Sequence, residues 1–209
     1  MEKFGKVGIL VCAILMLMSG CSLGINSEPE KPGDGQDSNT KQVLYPVSVD
    51  GKEIRVGEST VQTLLDDGLK VTVAETKNNE VKHYEVDPDT ELEPGSYYTG
   101  IRIWITDDVY AEVALVTDEK EVRIGEAVIA KMEFHLSGGE KADLDRIVFS
   151  GVPASEMTRA KAENVFPDFQ AEGSRWTQKG DDYYYDMNFS SGDKLLTDFT
   201  LEKIYTVAG

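Results

Sequence analysis

His83 and His135 are the only imidazoles in this 209-residue chain, so any histidine chemistry would have to run through one of them. A serine nucleophile needs such a histidine beside a serine on a strained strand-to-helix turn, and the G-x-S-x-G that the chain contains, Gly20-Cys21-Ser22-Leu23-Gly24, follows the apolar N-terminal run rather than a strand. It also contains no H-E-x-x-H, and its two cysteines, Cys12 and Cys21, both lie near the start, so no thiolate is available to hold zinc further along. Asp87-Pro88-Asp89-Thr90-Glu91-Leu92-Glu93 concentrates carboxylates. Asp87, Asp89 and Glu91 could offer oxygens to calcium, but the spacing is not that of an EF-hand, and the stretch reads as a solvated loop. Two carboxylates flanking a glycosidic bond would serve its hydrolysis, but their separation in space decides that chemistry. Gly57, Gly138-Gly139 and Gly192 are turn glycines, and none forms a phosphate-cradling loop ahead of a helix. The expectation is therefore no catalytic residue, no metal and no cofactor.

The aromatic residues are the remaining chemistry. Trp104, Trp176 and the run Tyr183-Tyr184-Tyr185 fall in strand-like segments. Alternate side chains of a strand face opposite ways, so Tyr183 and Tyr185 share one face and Tyr184 takes the other. On an exposed sheet face, Trp104, Trp176, Tyr183 and Tyr185 would form an interaction surface for a protein or a glycan. On a covered face the same residues would be core, since aromatics are good strand formers. The sequence leaves both readings open.

Cys21 has a different chemistry. Glu2, Lys3 and Lys6 are followed by the apolar run Val7 to Met18, VGILVCAILMLM, and then by Ser19-Gly20-Cys21. The run is too short to span a bilayer, which takes about 20 residues, and has the length of a secretory h-region. Met18-Ser19-Gly20-Cys21 resembles the lipobox of bacterial lipoproteins, with Met18 where Leu is usual. That resemblance implies diacylglycerol on the Cys21 thiol and cleavage by signal peptidase II before it, so that 1–20 is a signal peptide. Cys12 would leave with it. Residues 21–42 would then be the lipidated cysteine and a tether: Ser22 to Gln42 is rich in Gly, Ser, Pro, Asp and Asn and cannot bury enough surface to order itself. Two acyl chains hold a protein stably where one does not. The expected location is the extracytoplasmic face of the cell membrane.

Composition narrows the partners. The formal net charge is -17, which repels nucleic acid and disfavours lying flat on anionic headgroups. Hydrophobic residues at 40% suit a folded domain after the tether, and without a disulfide it must stand on its core.

The elements that would position these residues read as antiparallel strands with two short helices, an α+β fold. Asp50-Gly51 between Val47–Val49 and Glu53–Val56 marks a tight hairpin. Ser59 with Gln62 has the form of a capping box before Val61, Leu64 and Leu65, and Gly68 is a natural stop. Leu69, Val71 and Val73 alternate with polar residues, as do Ile101, Ile103 and Ile105, and Asp107-Asp108 turns the chain into Tyr110 to Val116. Ala127 to Leu136 and Ile147-Val148-Phe149 are further strands. Thr158 can cap a second helix bearing Ala162, Val165 and Phe166, which Pro167 ends. Leu195 to Tyr205 closes the chain, offering Leu196, Phe199, Leu201 and Ile204 to the core. This order is compatible with two tandem helix–meander units, 43–125 and 126–209.

Val49-Asp50-Gly51-Lys52 through Gly68 resembles a segment of uncharacterised lipoproteins of low-GC Gram-positive bacteria. Ile147 to Val152 with Met157-Thr158 and Val165-Phe166-Pro167 resembles their later segment. The later segment is also similar to the helix–meander unit of the β-lactamase inhibitor protein and the small outer-membrane-assembly lipoproteins, although Phe166-Pro167-Asp168 stands where those units carry a Gly. The resemblance implies helices on a curved antiparallel sheet and a non-catalytic binding module. The expected activity is therefore binding an as yet unidentified protein or glycan. The alternatives are an inhibitor of an envelope enzyme, plugging a basic active site with the Asp87 to Glu93 loop, and, ranked last, a small carboxylate-dependent hydrolase.

Overall fold

The computed structural model describes residues 45–78, 80–117, 121–192 and 194–205. Strands β1 (Val47–Val49) and β2 (Lys52–Ile54) form the expected hairpin. Asp50 and Gly51 take φ of +53° and +76°, the left-handed pair that a two-residue hairpin turn requires.

Helix α1 (Val61–Asp66) follows, one position out of register with the expected capping box. Thr60 is the N-cap and exchanges hydrogen bonds with Thr63, while the Ser59 hydroxyl turns back to accept from the Arg55 amide at 3.0 Å. Gln62 is freed to donate to Asp66 at 2.8 Å.

The chain then runs through β3 (Lys70–Lys77), β4 (Glu80–Glu85), β5 (Glu91–Leu92), β6 (Tyr97–Trp104), β7 (Tyr110–Val116), β8 (Val122–Arg123) and β9 (Val128–His135). A four-residue helix, α2 (Lys141–Leu144), makes a third among the described residues where two were expected; it buries no residue and carries no apolar period to announce it. Strands β10 (Ile147–Phe149) and β11 (Val152–Pro153) precede α3 (Arg159–Val165). The Thr158 hydroxyl caps α3 by accepting from the Lys161 amide at 3.3 Å. Phe166, ahead of Pro167, leaves helical geometry at ψ 68°. Strands β12 (Gln170–Glu172), β13 (Arg175–Lys179), β14 (Tyr183–Phe189) and β15 (Leu196–Lys203) complete the order.

The architecture is mainly antiparallel sheet with short helices. One nine-stranded sheet has the order β12-β13-β14-β15-β9-β7-β6-β3-β4. Strand β9 pairs with both β7 and β15, so segments on either side of residue 125 contribute to the same sheet. A four-stranded sheet, β11-β10-β1-β2, lies over one face of it. Phe149 of β10 meets Phe134 of β9 and Phe199 of β15, with ring centroids 5.2 Å and 4.3 Å apart. Val61 and Leu64 of α1 and Ala162 of α3 join the same core. Burying a side chain the size of Phe or Leu stabilises by roughly 1.5–3 kcal/mol, so this single contiguous core accounts for a fold without disulfides. Ile204 is a correction: it lies beyond the end of β15 and is 41% exposed rather than core.

Candidate binding face

Among the described residues the core covers one face of the nine-stranded sheet and leaves the other open, and this decides the fate of the aromatic residues. Trp176, Tyr183 and Tyr185 are corrections to the expected interaction surface, since all three point into the core, at 3%, 3% and 2% exposure. The physical reason is the period of two: they share the inner face with Met187 and Phe189, which alternate with Tyr184 and Asn188 on the outside. Tyr185 also ties down Tyr45. Its hydroxyl accepts from the Tyr45 amide at 3.0 Å, and the two rings lie 5.4 Å apart. Burial pushes the Tyr185 hydroxyl well above the ordinary tyrosine range. Trp104 alone of the four stands on the open face, half-buried. Cys21, the expected signal peptide 1–20 and the expected tether to Gln42 lie outside the described residues.

Two cross-strand rows organise the open face. In the first, Asp186, Thr200, Glu133, Glu112, Arg102, Thr72 and Glu85 face one another in register across β14, β15, β9, β7, β6, β3 and β4. In the second, Asn188, Asp198, His135, Tyr110, Trp104 and Lys70 do the same from β14 to β3. A solvated sheet face needs only polar side chains. Here the second row, with His83 from β4, carries four rings in succession: His83 to Trp104 at 5.3 Å, Trp104 to Tyr110 at 5.4 Å, and Tyr110 to His135 at 5.1 Å.

The neighbours of these rings fix them in place. The Trp104 indole N–H donates to the buried Thr72 hydroxyl at 2.7 Å, which pins the ring against the sheet. Arg102, paired with Glu112 at 2.8 Å, lies against Tyr110 and Trp104 with its guanidinium carbon 4.2 Å and 5.4 Å from their centroids. Desolvation, followed by the Arg102 charge, lowers the His83 pKa and favours its neutral form. His135 places Nδ1 3.4 Å from Asp198 and Nε2 3.9 Å from Glu133.

A concavity adjoins each end of the row. One, of about 460 Å³, lies over β13, β14, β15 and β9. Its floor includes Asp186, which accepts from Arg175, from the Tyr184 hydroxyl at 2.7 Å and from Asn188 at 3.2 Å. Asp186 is 6% exposed, so its charge is held by partners rather than by water. Lys131 pairs with Glu133 at 2.7 Å in the same concavity. Asp198 and Glu202 complete it, and among the described residues neither has a Lys or Arg partner: Asp198 meets His135, and Glu202 accepts from the Tyr97 hydroxyl at 3.4 Å. Burial and the Glu202 carboxylate push Tyr97 up to about 12. The second concavity, about 320 Å³, runs from Trp104 to the ion pair of Asp50 with Arg146, whose two bonds measure 2.7 Å and 2.9 Å.

The acidic loop is tied down rather than gathered. Asp89 pairs with Arg123 at 2.9 Å, and the Asp87 carboxylate accepts from the Asp89 amide at 3.1 Å. Among the described residues no three of His, Cys, Asp and Glu come together as a group able to hold a metal.

Sequence reasoning missed Tyr110, Tyr184 and His135 as surface residues. The signal existed in part. The expected turn at Asp107-Asp108 returns the chain beside Ile101 to Ile105, and the register that sets Tyr110 opposite Trp104 is seen only in the structure. No protein-family model, no curated protein and no solved structure matches the chain.

Proposed function

We propose that the chain is an extracytoplasmic lipoprotein, held to the cell membrane by a diacylglyceryl group on Cys21, whose folded body is a non-catalytic binding module for a protein or glycan. The observation that carries the binding role is the open face: four rings in contact across the sheet, with a polar concavity at each end. The anchor is supported by the h-region and Met18-Ser19-Gly20-Cys21. A tandem helix–meander organisation belongs to the same reading. Helix α1 leads into the β3–β4 hairpin, and α3 into the meander β12, β13, β14, β15.

The anchor is tested by fractionating cells that express the full chain or Cys21→Ser. The wild type is expected in the membrane fraction, labelled by a palmitate analogue, and the variant unlabelled and released. A labelled, membrane-bound variant overturns the anchor.

A further inference from the structure

We propose that the open face takes an oligosaccharide, uncharged or bearing amino sugars. One sugar unit would sit in the concavity of Asp186 and Asp198, with the chain running over His135, Tyr110 and Trp104. This rests on the reading of that face as a binding surface, and names its ligand class.

The track is continuous. Asp198, His135, Tyr110 and Trp104 are in register on adjacent strands. Three strand spacings separate the ends, roughly 14 Å at about 4.8 Å each. Trp104 is then itself a wall of the second concavity. A ligand using both ends must be extended and cross the strands, which fits a polymer better than a compact molecule.

The chemistry favours a sugar over a protein. The centre of a protein interface is depleted of charge and carries an apolar patch. Among the described residues the large exposed hydrophobics are Val81, Tyr84, Tyr97 and Ile204, and the open face carries a carboxylate, guanidinium or amine on nearly every strand. Covering those charges with apolar surface would cost more than it returned. Sugar hydroxyls both donate and accept, so Asp198, Asn188 and Arg175 can bond them in place of water. The less polar faces of sugar rings pack on aromatic rings, as in ligand sites lined by aromatics with a few placed polar groups. Charge selects among glycans. Glu133, Asp186, Asp198 and Glu202 outnumber Lys131 and Arg175, so the concavity repels uronate- or phosphate-bearing chains and tolerates neutral or cationic ones.

The test is calorimetric titration of the full chain with three probes: a β-1,4-linked N-acetylglucosamine hexamer, its deacetylated form and a polygalacturonate of equal length. Binding of either amino-sugar hexamer but not of the polygalacturonate is expected. Tyr110→Ala and the milder Asp198→Asn should each weaken it about tenfold, the loss of one good contact, with circular dichroism unchanged. The proposal is overturned by silence with both amino-sugar probes, by preference for the polyuronate, or by variants that fold and bind as the wild type does. If an envelope protein is retained by the wild type and lost by the same two variants while no sugar binds, the glycan falls and the binding face stands. If neither sugar nor protein responds to the variants, both fall.

Discussion

Tyr184 and Tyr185 are neighbours on one strand and belong to different parts of the molecule. Tyr185 is sealed between Tyr45, Phe169 and Tyr183, its ring contributing area and its hydroxyl answering a backbone amide. Tyr184 stands on the open face, its hydroxyl bridging Arg175 and Asp186. The two faces of the sheet use the same residue types for opposite ends. The inner face gains from removing rings from water. The outer face holds rings in place with hydrogen bonds and an arginine while leaving part of them wet. An aromatic residue in a strand is thus no evidence for a site until its face is known.

The inner face is the more sensitive of the two. Tyr185→Ala removes a core ring and leaves the Tyr45 amide without its acceptor; a loss of about 3–5 kcal/mol is expected in denaturant unfolding. A loss below about 1 kcal/mol would mean that the inner face is not packed as described. Tyr184→Ala sharpens the contrast. It should cost about 1.5–3 kcal/mol, the worth of a hydrogen bond to a charged group, because Arg175 and Asn188 still hold the buried Asp186 carboxylate. Parity between the two variants would erase the distinction between the faces.

The smallest effect is expected at the rim. The Arg146 hydrogen bonds hold the Asp50 carboxyl below its ordinary value of 3.8, outweighing desolvation. A carboxyl lowered on folding contributes stability that is present above the unfolded pKa and is lost as pH falls through the folded one. Asp50→Asn keeps a residue that tolerates positive φ, so the turn should survive. The variant should therefore be slightly less stable than the wild type at neutral pH, by under about 1 kcal/mol for an exposed pair. The difference should vanish once the pH is below the folded pKa. A gap that persists in acid would assign the effect to the turn rather than to the charge.

Much of the fold could be read in advance, for local reasons. The Asp50-Gly51 turn, the Asp107-Asp108 hairpin and the Pro167 helix stop all depend on residues whose backbone preferences act within a few positions. The α1 cap slipped by one because Ser59, Thr60 and Thr63 all carry hydroxyls, and only the backbone at Thr60, extended at φ -110° and ψ 168°, decides between them. The binding face was legible only as a list of aromatics. Three of the four residues named for it, Trp176, Tyr183 and Tyr185, went to the core, because strand alternation says which residues share a face and not which face is covered.

The parity along each strand, the turns, the acidity, the scarcity of nucleophiles and metal ligands, and the motif around Cys21 are all written in the order of the residues. Tertiary structure alone decided which parity meets Phe149 and the helices and which meets water. That choice depends on β1 and β10, which are far apart in the chain and pair only in the fold. It also depends on the order in which the nine strands register, which brings Trp104, Tyr110 and His135 into one row and sets the His83 ring against Trp104. Contacts between residues so distant in sequence leave no periodic trace in it, and so the face that the structure leaves open could not be read from the residues that line it.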